Sequence, residues 1–384
     1  MPNSANILID ARPLVDQTAG GVRRVAINIL RALLEHLPYT HFTLATTGLR
    51  QPTLPKPFRE APNASHVHIK LPNKLWSSLS MLGTTSLDRR VSQETRANFD
   101  AALLLNLGFT GRLNLPYALI LHDLSFLIEP GWFPWKERLW HSAVRSTDLI
   151  RAASRLFCVS ETTAQDASRL LGASRDRIEV FQPGIPDLPT AEPNSSPQST
   201  VYGLLRPRLS REAGRAVSPF VLTFGASNPR KNVATAICAV RELRREAAFK
   251  NLHLVIVGVG KAEGERRTPD WIVRKNNLTD EELALLYQHA SALLYPSWYE
   301  GYGLPLHEAA RFGLPCLAGA HGALPLTAPR GTILIPPMKP QLWVGTLRQV
   351  LRWPESYRTL TEPNQAKPSL DGLINWIKNK SLDR

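Results

Sequence analysis

Residues 292–310 read Ala-Leu-Leu-Tyr295-Pro-Ser297-Trp-Tyr-Glu300-Gly-Tyr-Gly303-Leu-Pro305-Leu-His-Glu308-Ala-Ala. The four apolar residues Ala292–Tyr295, closed by a proline, read as a short buried strand. Glu300 and Glu308 are eight residues apart, which on one helix would separate them by roughly 12 Å along the axis. Gly301, Gly303 and Pro305 argue against a single helix, since glycine permits positive φ and proline suits a first helical position. Glu300 therefore belongs to a loop, and a helix starts near Leu304–Pro305. Backbone N–H groups at such a start suit an anion such as a diphosphate. Glu308, one turn inside, lies within reach of a sugar or ribose hydroxyl. The plainer reading is a strand–turn–helix with a glutamate that complements the helix dipole.

Outward from this stretch, short apolar runs alternate with helical patterns. Ile7–Asp10, Phe42–Thr46, Ala101–Leu105, Tyr117–Leu121, Leu156–Val159 and Ile178–Phe181 read as strands. Val22–Leu37, Lys136–Ala153 and Thr162–Leu171 carry helical periodicity between them. Pro183 to Ser218 interrupts the rhythm with repeated prolines. It then restarts with strands at Phe220–Gly225, His253–Gly258, Ala292–Tyr295 and Cys316–Ala318. The matching helices are Asn232–Ala247, Asp280–Ala290, Pro305–Phe312 and Gln341–Leu351, and a last helix spans Ser369–Lys380 with Ser369 as its N-cap. The fold class is α/β with parallel sheets. The expected domains are 1–185, a linker or excursion at 186–218, a second domain at 219–360, and a C-terminal helix at 361–384 that returns to the first domain.

Lys and Arg number 46 against 32 Asp and Glu, a formal charge of +14, so the surface field favours anionic neighbours. Three cysteines, at 158, 238 and 316, are too few and too dispersed for a disulfide framework or a zinc site, and they point to a reducing, cytoplasmic setting. Met1–Asp10 lacks the cationic start and long apolar stretch of a signal peptide. The longest apolar candidate, Leu113–Ile128, contains His122 and Asp123, so no transmembrane span is expected. Contact with a membrane surface stays open, because Gly131–Trp140 mixes Trp132, Trp135 and Trp140 with Lys136 and Arg138. The bland reading of that segment is a helix with buried tryptophans. Arg206, Arg208, Arg211 and Arg215 cluster in the linker and read as a solvated basic patch. A nucleic-acid partner is not expected, since charge alone supports it and no motif does.

The run Pro296-Ser297, Glu300-Gly301-Tyr302-Gly303-Leu304-Pro305, Glu308-Ala309 and Gly313-Leu314-Pro315 resembles the signature of family 4 retaining glycosyltransferases. Other segments resemble the family in the expected order: Gly225 to Asn232 with Arg230-Lys231, His122-Asp123-Leu124-Ser125 after a strand, Ser160-Glu161, and Asp10-Ala-Arg12 followed by Gly20-Gly21. The resemblance implies a GT-B fold, two Rossmann-like parallel-sheet domains facing across a cleft. It implies that Glu300 binds the donor sugar, Glu308 the nucleotide ribose, Lys231 the donor diphosphate and His122 the sugar near the reacting carbon. Gly20, Gly21, Arg230, Gly303 and Leu304 complete the implied substrate-binding set. No metal or other cofactor is implied; Lys231, Arg230 and the helix start would replace a metal at the leaving diphosphate. The nucleotide sugar is the substrate, GDP-mannose or UDP-glucose, with a lean to mannose. The implied acceptor is a hydroxyl of a glycan or lipid-linked molecule, and the place of action is cytoplasmic or peripheral at the inner face of the membrane.

Two departures separate the chain from the family text. Ala226 stands where many members carry Arg, and Leu326 stands where many carry Glu after Leu-Pro. They motivate an alternative, a catalytically impaired GT-B relative that binds nucleotide sugar or polysaccharide as a subunit.

Overall fold

The computed structural model describes residues 5–16, 20–189, 219–225, 228–258, 269–361 and 367–380. Ala226, the arginine cluster at 206–215 and most of the proline-rich excursion lie outside the described residues. The chain divides into two compact units, Met1–Ile185 with Lys367–Arg384, and Pro186–Ala366.

The first unit holds a seven-stranded sheet: β1 (Asn6–Asp10), β2 (His41–Gly48), β3 (Ala64–Lys70), β4 (Ala101–Leu104), β5 (Tyr117–Leu121), β6 (Arg155–Cys158) and β7 (Ile178–Val180). Their order is β3-β2-β1-β4-β5-β6-β7, and every neighbouring pair is parallel. The second unit holds β8 (Phe220–Phe224), β9 (His253–Val257), β10 (Ile272–Lys275), β11 (Ala292–Tyr295), β12 (Cys316–Gly319) and β13 (Ile333–Ile335), ordered β10-β9-β8-β11-β12-β13 and again parallel. Central strands such as Tyr117–Leu121 and Ala292–Tyr295 are buried along their whole length. Helices cover both faces of such a sheet, which is why these strands read as unbroken apolar runs rather than alternating ones.

Each sheet reverses its order once, between β1 and β4 and between β8 and β11. At such a reversal the loops leaving two adjacent strands diverge, and a crevice opens beyond their C-terminal ends. The Asp10–Arg12 pair and the Arg230–Lys231–Glu300 cluster described below lie there.

Several elements differ from the sequence reading. The first long helix runs Gly20–His36, so Gly20 and Gly21 form its first turn rather than a loop. Among the described residues neither glycine has a neighbour within 4 Å of where a Cβ would stand, so only the φ of 46° at Gly20 favours glycine there. The single helix expected over 136–153 is two, Trp135–Ala143 and Ser146–Ala152. Arg145 breaks it with φ 55°, and the Ser146 hydroxyl donates to the His141 carbonyl at the junction. The last helix starts at Asp371, two residues after Ser369, whose N–H donates to the Gln182 carbonyl. That helix buries Leu373, Trp376 and Ile377 within the first unit.

Candidate active site

In the second unit, the loop after β8 closes as a short turn at Pro229–Lys231. The Asn228 side chain caps it by accepting the Arg230 N–H at 3.0 Å. Asn232 follows in the left-handed region at φ 49° and leads into the helix Val233–Leu243. The loop after β11 carries Glu300. The two loops are stitched together: Trp298 N–H donates to the Arg230 carbonyl at 2.8 Å, and Asn232 Nδ2 donates to the Pro296 carbonyl at 3.1 Å.

This stitching brings Glu300 to the adjacent Arg230 and Lys231, 70 and 69 positions earlier in the sequence. Lys231 Nζ donates to Glu300 Oε1 at 2.6 Å, and Arg230 Nη1 lies 3.3 Å from Glu300 Oε2 while also donating to the Tyr299 carbonyl at 2.8 Å. Glu300 is buried. Burial pushes its carboxyl pKa up, but Lys231 and then Arg230 outweigh that and hold it below the usual range. Two cations against one carboxylate leave the cluster net positive, a setting that attracts an anion. Lys231 Nζ also donates to the Tyr295 hydroxyl at 3.0 Å. Burial first, and the Glu300 charge second, raise the Tyr295 phenol well above its ordinary value, so it stays protonated.

Gly225 and Gly303 both need to be glycine. Gly225 has φ 81°, and a Cβ there would stand 2.5 Å from Lys231 Cγ. Its absence lets the lysine stem cross the backbone. Gly303 has φ 91° and precedes the helix Leu304–Ala310, where a Cβ would meet Leu324 at 2.6 Å. The helix begins at Leu304 with proline next, as the sequence suggests. Glu308, one turn in, is buried, and its Oε2 accepts the Tyr287 hydroxyl at 2.8 Å. The Tyr287 ring stacks against both Phe224 and Phe312. Leu326, at the missing glutamate, is 70% exposed.

In the first unit, His122 follows β5. Its Nε2 lies 3.0 Å from the Leu105 carbonyl, which can only accept, so Nε2 carries the hydrogen and Nδ1 is the bare nitrogen. Burial lowers the His122 pKa, against the opposing effects of the Leu105 hydrogen bond and Asp123, so the ring is neutral at neutral pH. Asp123 caps the next turn, accepting from the Ser125 N–H and hydroxyl. Ser160 is a helix N-cap accepting from Thr163 N–H, a structural duty. At the β1/β4 reversal, Asp10 and Arg12 form a two-point ion pair, with Nε–Oδ1 at 2.8 Å and Nη2–Oδ2 at 2.6 Å. They border a pocket of about 480 Å³ together with Asp16, Asn73, Asn106 and Trp140.

Two residues of these clusters escape sequence reasoning. Tyr295 and Tyr287 read as apolar members of a strand and a helix, and nothing local marks their hydroxyls as partners of Lys231 and Glu308. Among the described residues, no three His, Cys, Asp or Glu side chains gather as metal ligands.

A family model described as glycosyl transferases group 1 matches residues 209–367, and one described as Glycosyltransferase Family 4 matches 19–187. This chain belongs to the group 1, family 4 glycosyltransferases. Curated relatives include the serotype-specific mannosyltransferase WbdA of Escherichia coli, 30% identical over 226 residues that make up 52% of this chain and 25% of that protein. Another is the O-antigen chain mannosyltransferase B of Escherichia coli, 27% identical and covered 53% on each side. The chain thus spans from a quarter to about half of these relatives' lengths. Among solved structures, sucrose-phosphate synthase from Thermosynechococcus elongatus aligns with 99% of this chain and 94% of its own, at TM-score 0.66 and 16% identity. Anabaena HepE in complex with UDP and glucose aligns over 99% and 98%, at TM-score 0.63 and 14% identity. These likenesses establish the fold as GT-B, the family's pair of Rossmann-like parallel-sheet units.

Proposed function

We propose that this chain is a retaining hexosyltransferase that moves a sugar from a nucleoside-diphosphate donor to a hydroxyl of a glycan or lipid-linked acceptor, without a metal ion. The observation that carries the reading is the Lys231–Arg230–Glu300 cluster at the β8/β11 reversal. Its net positive charge suits a leaving diphosphate, and preorganised cations there stabilise the charge that develops as the sugar–phosphate bond breaks. Arg230 and Lys231 would bind the phosphates, and the turn at Gly303–Leu304 would receive them at the helix start. Glu300, held ionised, would accept hydroxyls of the donor sugar. Glu308 would serve the ribose, and His122, neutral with Nδ1 unprotonated, would accept from the sugar near the reacting carbon. Gly20 and Gly21, at the start of the first long helix, would serve substrate through backbone N–H groups.

The acceptor would occupy the pocket bordered by Asp10, Arg12, Asn73 and Trp140. Its hydroxyl oxygen would bond to the anomeric carbon on the face the diphosphate leaves, with the hydroxyl proton passing to the departing phosphate oxygen. Mannose is the favoured sugar, and GDP-mannose the favoured donor, because relatives above are named mannosyltransferases. UDP-glucose is the second donor.

The test is release of nucleoside diphosphate from GDP-mannose and UDP-glucose, in EDTA, with a panel of glycan and lipid-linked acceptors. Acceptor-dependent release, abolished by Lys231→Ala, supports the proposal. Nucleotide binding without turnover on any acceptor would favour the impaired binding subunit, which Ala226 and the exposed Leu326 at the glutamate position motivate.

A further inference from the structure

The helix Trp135–Ala143 wears its apolar face outward. A surface helix ordinarily turns its apolar stripe to the core. Here no residue of the helix is buried. The inward side is marked by His141, whose ring stacks on Phe126 at 4.1 Å and meets Phe133 edge-on. At 100° per residue, the opposite side carries Trp135 and Leu139, four apart and so one above the other. They are 63% and 60% exposed. Lys136 and Arg138 flank this stripe, one on each side, and both are exposed. The buried-tryptophan reading of this segment is therefore overturned.

Beside the helix lies a pocket of about 410 Å³ lined by Arg138, His141, Ser142, Arg145, Thr147 and Asp148. Arg145 is paired with Asp148 at 2.7 Å, so the pocket mixes cations and hydroxyl donors with one neutralised carboxylate.

We propose that this helix docks the chain on an anionic lipid bilayer, with Trp135 and Leu139 in the headgroup–acyl boundary and Lys136 and Arg138 on lipid phosphates. A tryptophan–leucine stripe edged by cations is matched to that boundary, where an apolar body and a charged rim are both satisfied. The net charge of +14 gives the long-range attraction the same sign. Among the described residues no helix is long and apolar enough to cross a membrane, so the contact is one of surface attachment. This inference goes beyond the transferase reading and does not rest on it, since neither Trp135 nor Leu139 has a role in the proposed site.

The experiment is vesicle co-sedimentation of the full chain, comparing phosphatidylcholine alone with phosphatidylcholine carrying about one third phosphatidylglycerol. Wild type is expected on the anionic vesicles only, with retention falling as salt rises. Trp135→Ser with Leu139→Ser should lower partitioning at least ~10-fold with an unchanged melting temperature, because both side chains are exposed. Lys136→Glu with Arg138→Glu should do likewise at low salt. Lys56→Glu with Arg59→Glu, the same charge change at exposed positions elsewhere in the first unit, should cost less than ~3-fold. Equal loss from the remote pair would reduce the effect to general charge and overturn the proposal. So would unchanged retention of the Trp135/Leu139 variant, or absence of wild type from anionic vesicles. A wild-type dimer that this variant converts to monomer, without vesicle binding, would assign the face to a second copy instead.

Discussion

At the Glu300 carboxylate, burial and charge pull in opposite directions, and charge wins. Its ionised form is therefore part of the folded state. Glu300→Gln removes one partner of a buried pair and should destabilise the second unit by about 3–5 kcal/mol near neutral pH. The sign with pH follows from the depressed pKa. The ionised carboxylate's contribution is full above the ordinary carboxylate range and is lost as pH falls through the lower folded value. The difference in melting temperature between wild type and Glu300→Gln should thus shrink on acidification; a difference independent of pH would contradict the pairing. At His122 burial wins instead of charge, yet the sign with pH is the same. Its pKa is lowered from 6.5, so the unfolded chain takes its proton first, and its contribution is full above pH 6.5 and fades below. An NMR titration should find the His122 midpoint below 6.5; a midpoint above it would contradict the buried neutral ring. At this scale the sequence reading singled out Glu300, Lys231, Arg230 and His122 from their neighbours in the chain. Tyr295 and Tyr287 were illegible because a tyrosine in an apolar run announces packing and not a hydroxyl's destination.

Among elements, the loop after β8 shows how local geometry sets a charge. Gly225→Ala forces a Cβ against the Lys231 stem at a positive φ. It should cost about 1–3 kcal/mol and weaken nucleotide binding together, since the lysine must move. Gly345→Ala is the control: nothing lies within 4 Å of its Cβ position inside the helix Pro340–Arg352. It should stabilise by about 0.5–1 kcal/mol and leave binding alone. Thermal melts and nucleotide titrations of both variants check the pair. The central strands were legible because burial on two faces writes an unbroken apolar run. The sheet-edge strand β3 was not, since Ala64–Lys70 carries His66, His68 and a mostly half-buried pattern. In the second sheet, the edge strand β10 ends in Arg274 and Lys275 and hides in the same way. The kink at Arg145 was missed because helical periodicity continues across it while the backbone does not.

For the whole molecule, the C-terminal helix joins the far end of the chain to the first unit, burying Trp376 and Ile377 there. Trp376→Ala should destabilise that unit by about 3–5 kcal/mol. Amide exchange should rise in β1, β5 and β7 and stay unchanged in β8 and β11; a uniform rise across both units would contradict this. The fold class was readable from strand–helix alternation, and the family from the 296–315 text. The stitching of the β8 and β11 loops was not, since hydrogen bonds between residues seventy positions apart leave no periodic trace. The central claim is that Lys231 and Arg230, set against Glu300, hold the diphosphate of a sugar donor. The most direct measurement is calorimetric titration of GDP and UDP, in EDTA, into wild type and Lys231→Ala. Wild type is expected to bind one of the two nucleotides, and the variant to lose at least ~10-fold, about 1.4 kcal/mol or more. Equal affinity in both proteins, or no binding of either nucleotide to wild type, would contradict it.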